Sequence, residues 1–457
     1  MVKVQEVIHF FHTNDLHSHF TYWKRSQAFI RMQRNLLAQR GETSFLVDLG
    51  DHVDRSNLFT EATLGKGNVE MLNEAQYDVV TIGNNEGITL PHTDLYHLYD
   101  QAQFEVVVGN LQSRRGKNPA WLKPYTILTT QYGTKIAVIA ATAQFDVFYK
   151  ELGWTVYSPR DLLIEQVLQL QNEVDIIVCL SHLGITEDEL LAKECPAIDV
   201  IFGAHTHHIF KEGQLENGVL LTGGGKFGQY TGHLTLEFDH TTKRLVQKYD
   251  RLYENALLPD VEGESEWLLQ LHEQAKRVLE KPEFTLTRPL NKEWFHRSQL
   301  SNLFAECLYD YTNADCCLFN AGIFVEGMKK GNVSSYDIHK IFPHPINICV
   351  IKLTGTELKE IYLQSENEDW PRLELKGLGF RGVIFGKMLS YGLTMNKQRE
   401  FYINGELMVP NKEYRLATLD MYTFGYFFPS FKYAKKQYYM PEFIRDIFKD
   451  YCKKKFA

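Results

Sequence analysis

Residues Tyr77–Thr89 read YDVVTIGNNEGIT. The apolar run Val79–Ile82 has no polar alternation, which is the pattern of a strand buried on both faces. It breaks off at Gly83, and Asn84, Asn85 and Glu86 follow at once. In open α/β sheets, ligands bind beyond the carboxyl ends of the strands. A buried strand that stops on glycine and releases amide and carboxylate side chains is therefore a candidate active-site loop.

Working outward, the same pattern recurs. Val7–Phe11, Phe45–Leu49, Val106–Val108, Ile136–Ala140, Ile176–Leu180 and Val200–Phe202 are candidate strands, with helical patterns such as Arg25–Gln39 and Leu162–Gln171 between them. The alternation predicts an α/β sheet architecture. Four further strands end in metal-ligand residue types: Asp15-Leu16-His17, Gly50-Asp51, Ser181-His182, and the run Gly203 to His207. Any one of these is ordinary as a turn, a cap or a satisfied histidine. Five in order at strand ends converge on one patch.

That patch has a definite chemistry. Two aspartates (Asp15, Asp51), one amide oxygen (Asn84) and four imidazoles (His17, His182, His205, His207) give mixed oxygen and nitrogen ligation, suited to Mn²⁺, Fe²⁺, Co²⁺ or Zn²⁺. The Asp51 carboxylate can bridge two ions. Such a pair polarises a phosphoryl group, activates water and stabilises a leaving oxygen. The glycines that precede Asp51, Asn84 and His205 are expected to let the backbone turn off each strand.

Further along, Leu234–Phe238 alternates apolar and polar, closing a first unit near Tyr253. In EGESEWLLQLHEQAKRVLEKP, Trp267, Leu268, Leu271, Ala275, Val278 and Leu279 share a helical face, and Pro282 stops the helix. We expect a catalytic domain over residues 1–258, a linker helix over 259–283 and a second α/β domain over 284–457. In the last, Thr354-x-x-Glu357 reads as a capping box opening the helix Glu357–Leu363.

Composition narrows the function. The 457 residues are 44% hydrophobic and 23% charged, with net charge −8, so no basic surface for a nucleic-acid polymer is indicated. No apolar run approaches the roughly 20 residues of a membrane helix. The N-terminal MVKVQEVIHFFHTND lacks the regions of a signal peptide. Seven scattered cysteines without a CxxC fit a reduced, cytoplasmic chain.

HTNDLHSHF, DLGDHVDRS, TIGNNEG, LSHLG and FGAHTHH together resemble the five blocks of the metallophosphoesterase (calcineurin-like) superfamily. Their order and spacing most resemble the 5′-nucleotidase and UDP-sugar hydrolase branch. LFNAGIF, VIKLTGTELKEIY and YRLATLDMY extend the likeness through the second half. The resemblance implies a four-layer α/β/β/α metallophosphoesterase domain, a connecting helix and a smaller C-terminal α/β substrate-binding domain. It implies that Asp15, His17 and His207 hold one divalent ion and Asn84, His182 and His205 a second, with Asp51 between them; manganese is the expected metal, with zinc, iron or cobalt as alternatives. It leaves His12, His19, His52 and His208 as supporting or packing residues.

The chain also departs from the family. Relatives place a catalytic histidine where Asn85 stands, often oriented by an aspartate where Ile88 stands. Asn85 is then expected to offer a neutral hydrogen bond to a phosphate oxygen beside the catalytic Asp51, and His92, further along the loop, is an alternative source of an imidazole. In the second half, Phe324 replaces an arginine and Tyr426 a ribose-contacting aspartate, while the two base-stacking positions fall on His344 and near Phe428. The expected activity is hydrolysis of phosphomonoesters such as nucleoside 5′-monophosphates. Hydrolysis of cyclic nucleotides or nucleotide sugars is the alternative, and a non-catalytic metal- or nucleotide-binding sensor the rival from another class. The expected partner is a nucleotide or other small phosphate ester, with no nucleic-acid polymer and no membrane.

Overall fold

Along Ile176–His182, alternate residues go to different cores. Ile176, Val178 and Leu180 enter one apolar cluster, and Ile177 and Cys179 enter another. Lys135–Thr142 does the same, with Ile136, Val138 and Ala140 on one face and Ala137, Ile139 and Ala141 on the other. A strand covered on both faces has no polar side to show, hence the unbroken apolar runs. The computed structural model describes residues 5–375 and 377–456.

Two sheets build the N-terminal unit. The first runs in the order Arg244–Glu254, Tyr230–Asp239, Gln5–Thr13, Thr43–Asp48, Val79–Val80, Glu105–Val107, Leu122–Lys123. Its centre is parallel, and Tyr230–Asp239 and Arg244–Glu254 add an antiparallel flank. The second runs Gln214–Glu216, Val219–Gly223, Val200–Gly203, Ile176–His182, Lys135–Thr142, Tyr125–Thr129. Ile8, Phe10, Val47, Leu49 and Val79 of the first sheet meet Val138, Val178, Leu180 and Phe202 of the second in a single core. Helices Pro159–Leu170 and Ile185–Glu194 cover the far side of the second sheet through Leu163, Val167, Leu170 and Leu191. Trp23–Gln39 buries Trp23, Ile30 and Leu37 against the first. The layers are α/β/β/α, and the parallel strands aim their carboxyl ends toward one edge.

The chain parts into two compact units between Glu273 and Gln274, inside the helix Glu264–Leu279. That helix is shorter than the 259–283 segment read as a linker. Pro282 lies beyond it and opens the strand Pro282–Leu286.

The C-terminal unit has a five-stranded sheet in the order Met388–Tyr391, Cys316–Asn320, Glu413–Leu419, Asn347–Thr354, Lys436–Phe443. Helices Gln299–Thr312, Gly355–Ser365 and Ile444–Lys455 complete one large core that contains Phe304, Phe319, Phe324, Phe342, Phe428 and Phe448. Thr354 and Glu357 form the reciprocal capping box that the sequence signals: the Glu357 N–H donates to Thr354 Oγ1 and the Thr354 N–H to Glu357 Oε2. Among the described residues no helix is long and apolar enough to cross a membrane, and all seven cysteines are unpaired and buried.

Candidate metal centre

Where the strand Gln5–Thr13 ends, its loop goes on pairing with the neighbouring loop instead of turning away. The N–H groups of Asp15, His17 and Ser18 donate to the carbonyls of Gly50 (3.1 Å), Asp51 (2.8 Å) and His52 (3.0 Å). This locks two ligand-bearing loops side by side. It also forces an unusual backbone. Asp15, His17, Asp51, His205 and His207 all have positive φ, between 47° and 71°. For residues with a Cβ this conformation costs on the order of 1 kcal/mol or more each and persists only where surrounding structure enforces it. Five of the seven candidate ligands carry that strain.

The glycines before the ligands do not do most of the turning expected of them. Gly50 does adopt φ +88°. Gly83 is extended (φ −97°) and is required for space: a Cβ there would collide with Asp51 Oδ1 and His182 Cε1. The turning is done largely by the ligand residues themselves.

Two overlapping groups of ligand atoms result, Asp15/His17/His207 and Asp15/Asp51/His182, with all atoms of each within 4.8 Å of one another. His17 Nε2 and His207 Nε2 are 3.2 Å apart, roughly the separation of two donors each ~2.1 Å from one tetrahedral ion. Asp51 divides its oxygens: Oδ2 lies 3.7 Å from His17 Nε2 and Oδ1 lies 3.4 Å from His182 Nε2. This is how a carboxylate between two cations is disposed. His205 joins through its main chain, whose N–H donates to both oxygens of Asp15 (3.3 and 3.1 Å), and its ring lies 5.3 Å from that of His182. Asn84 directly follows the tight contact at Gly83.

Two atoms test whether this set fits a metal. His182 Nε2 and Asn84 Oδ1 are enclosed and have no hydrogen-bond partner. Burying a polar atom without a hydrogen bond costs on the order of 1–3 kcal/mol, and His182 Nε2, 3.4 Å from Asp51 Oδ1, stands where a cation would complete both groups. The donor set of carboxylates, imidazoles and one amide suits a divalent first-row metal. The residues fit.

Charge and orientation are set by the surroundings. Burial works to lower the His182 pKa, but the Asp51 carboxylate overrides it and raises it to about 10. Burial likewise works to raise Asp51, and the facing His182 and His17 instead hold it far below the carboxylate range. His205 is pushed down to about 4, by burial first and then by His182. His182 Nδ1 donates to the Leu49 carbonyl (2.7 Å), which leaves Nε2 facing the cluster.

Several residues that organise the centre were not singled out from the sequence, although they lie inside the quoted motifs. Glu86 accepts from the N–H groups of Asp51, Val53 and Gly83 (3.0, 2.8 and 2.8 Å), pinning one ligand loop to the next. Asp54 sits 3.4 Å from His17 Nδ1, and Asn14 donates to Asp15 Oδ2 (2.8 Å). The signal was a carboxylate or amide one to three residues from a ligand. Of the histidines read as supporting, His12 pairs with Asp250 (3.1 Å), His52 packs on Trp23, and His208 donates to the Thr222 carbonyl (3.1 Å).

Asn85 is engaged with the cluster: Nδ2 donates to Asp51 Oδ2 (2.6 Å), and the Asn85 main-chain N–H donates to Asp51 Oδ1 (2.7 Å). It holds the dividing carboxylate from both ends. Two expectations are corrected. His92 does not supply an imidazole to the centre. Its ring is stacked on Trp154 (4.6 Å) and hydrogen-bonded to Ser113 (3.2 Å). His344 and Phe428 are wholly buried in the C-terminal unit and offer no face to a base. His344 Nε2 donates to the Ile323 carbonyl (2.9 Å), Nδ1 accepts from the Arg381 N–H (2.8 Å), and its ring lies flat on Phe380 (5.1 Å). Phe428 packs against Trp370, Tyr422 and Phe431.

Known proteins give the same picture. The chain matches the model of calcineurin-like phosphoesterases over residues 8–208 and that of the 5′-nucleotidase C-terminal domain over 278–426. It is 39% identical over 455 residues to the uncharacterized metallophosphoesterase YunD of Bacillus subtilis (strain 168), covering 97% of this chain and 98% of that one. Among solved structures, a putative 5′-nucleotidase from Staphylococcus aureus superposes with TM-score 0.72 at 16% identity, covering 98% of this chain and 96% of the other. The NAD nucleotidase of Haemophilus influenzae does so with TM-score 0.66 at 16% identity, covering 99% and 97%.

Proposed function

The chain belongs to the calcineurin-like metallophosphoesterases of the 5′-nucleotidase type and is a phosphoester hydrolase, and from that premise we propose that it hydrolyses phosphomonoesters, nucleoside 5′-monophosphates among them, with manganese as the preferred metal. The observation that carries the reading is the pair of overlapping ligand groups, Asp15/His17/His207 and Asp15/Asp51/His182, in which the Asp51 carboxylate divides its oxygens between two imidazoles.

Asp15, His17 and His207 would hold one divalent ion, and Asn84, His182 and His205 the other, with Asp51 presenting one oxygen to each. When bound, two such ions supply Lewis acidity to a phosphoryl oxygen and to the attacking water. The protein supplies placement. Leu49 and Asp54 orient the rings of His182 and His17, Glu86 fixes the loop that carries Asp51, and Asn85 sets the Asp51 plane.

At Asn85 the chain has no group that can deliver a proton, and general-acid help is worth roughly 10²–10⁴ in rate. An alkoxide such as a ribose 5′-oxygen needs that proton; an acidic phenol leaves without it. The reading therefore carries a selectivity: aryl phosphates turn over faster than nucleotides. The unpaired, buried cysteines support a reducing compartment and hence a cytoplasmic location.

The test is a panel of p-nitrophenyl phosphate, bis-p-nitrophenyl phosphate and nucleoside 5′-monophosphates on chelator-stripped protein with Mn²⁺ restored. Turnover of the monoesters, with the aryl ester fastest, is the expected result. Preference for the diester would overturn the monoester assignment, and no turnover of any of them would overturn the catalytic one.

A further inference from the structure

With His344 and Phe428 buried, the rings expected to hold a leaving group are not where one can bind. The N-terminal unit offers another place. A cavity of about 390 Å³ is bounded by His17, Phe20, Phe59, Leu268, Leu271 and His272. Its size falls in the range of small-molecule sites, roughly 300–1,000 Å³. His17 belongs both to this wall and to the Asp15/His17/His207 group. Whatever fills the cavity therefore lies one side chain from the metal centre.

The walls combine aromatic and leucine side chains with the polar Ser18, Thr21, Ser56 and Asn57. Phe20 and Phe59 meet edge to face at 6.3 Å, and Phe20 is edge-on to Trp267 at 6.2 Å. Leu268 and Leu271 close the side from the helix Glu264–Leu279. His19, also on the cavity wall, is stacked on Phe227 with ring centres 3.9 Å apart. Phe227 has φ +59°, a conformation a bulky residue holds only under constraint. The constraint is visible: the Phe227 N–H donates to the carbonyl of Asp15 (2.8 Å). A strained aromatic is thus tied to a ligand loop and pressed on a ring that faces the cavity.

We propose that this cavity is the leaving-group subsite and that it takes the planar ring of a phosphate ester whose phosphate lies at the metal centre. The inference rests on the phosphoester reading above and adds where the rest of the substrate sits. A second cavity, of about 320 Å³, borders His205. Its wall includes Arg160, which is already ion-paired to Glu194 (3.0 Å) and lies 3.8 Å from Glu187. It too borders a candidate ligand and mixes apolar with polar side chains, so it serves as the competing location in the test.

The experiment uses the full chain with Mn²⁺ and two substrates with acidic leaving groups, 1-naphthyl phosphate and the ringless vinyl phosphate. Leu268→Trp fills the cavity from a half-buried helix position. It is expected to raise KM for the naphthyl ester at least about tenfold relative to KM for the vinyl ester, since a buried aromatic ring carries that much binding. Calorimetric affinity for 1-naphthol should fall in parallel. Leu268→Ala, which removes bulk instead, should weaken naphthol binding by a smaller factor and serves if the tryptophan variant unfolds. Equal shifts for both esters, or no shift with either variant, overturn the proposal. So does a change in the KM ratio on Arg160→Ala without one on Leu268→Trp. If wild type hydrolyses neither ester, the catalytic reading fails, and naphthol binding to wild type against Leu268→Trp still decides whether the cavity is a ring site.

Discussion

Each unit of this protein buries a histidine completely, His182 in the N-terminal unit and His344 in the C-terminal one. His344 has both ring nitrogens satisfied by main chain and lies flat on Phe380, and burial lowers its pKa to about 3. His182 has one nitrogen satisfied by Leu49 and the other facing Asp51 Oδ1 at 3.4 Å, an ion pair that raises its pKa to about 10 despite burial. Burial and residue type are identical. The second nitrogen separates a structural imidazole from a ligand. A ring held by main chain on both sides is fixed in place, whereas one that faces a carboxylate can exchange its proton for a cation.

The comparison is most easily broken at its strongest point. His182→Ala should lower phosphoester turnover by at least roughly a thousandfold, the scale of losing an electrostatic stabiliser of the transition state. Metal analysis should show one of the two ions lost, and chelation of wild type should mimic the variant. Full metal content with full activity would mean that His182 is structural after all.

In the C-terminal unit the expected signature is the opposite. Phe428→Ala should destabilise by ~3–5 kcal/mol through the cavity it leaves. His344→Ala should cost ~2–4 kcal/mol, because it strands the Arg381 N–H and the Ile323 carbonyl as well as removing a packed ring. Denaturant unfolding measures both. The KM of the molecules that remain folded should not move. A raised KM for nucleotides with stability intact would return these rings to the substrate.

Asn85 sharpens the comparison, because it touches the cluster without being a ligand. Asn85→Ala should weaken metal binding by roughly 10–100-fold, the usual scale for a residue that orients a ligand. Titration with a competing chelator reads this directly. Asn85→His should narrow the gap between aryl and nucleotide substrates even where metal affinity falls.

The smallest effect tests local structure alone. Thr354→Ala removes the capping-box hydroxyl and should cost ~1 kcal/mol, seen as a shift in unfolding midpoint with no change in metal content.

The capping box at Thr354 was legible because both partners lie within one helical turn. The strand runs were legible for a similar reason, since two-sided burial leaves its mark on consecutive residues. The five ligand loops could be found because each begins where such a run stops. Illegible were properties that depend on residues far apart in sequence. Nothing near FPHPIN tells that His344 meets Ile323 and Arg381. Nothing in GNNEG tells that the second asparagine turns back to Asp51, or that Glu86 collects three N–H groups from two loops. The family likeness supplied ligand positions but misled at the substrate rings, where matching positions carry different surroundings.

The pairing of His17 with His207 spans 190 residues of chain. A cation gripped at that point would act on the polypeptide as a covalent cross-link does, closing a very long loop whose free ends in the unfolded chain are far apart. Its grip adds to the stability of the N-terminal unit in proportion to the logarithm of free metal concentration and leaves the C-terminal unit, which contains none of these ligands, untouched. Under heat or protease in metal-poor medium, the two halves of one polypeptide should then come apart as separate events, the catalytic half first, and merge again into a narrower transition as metal is returned.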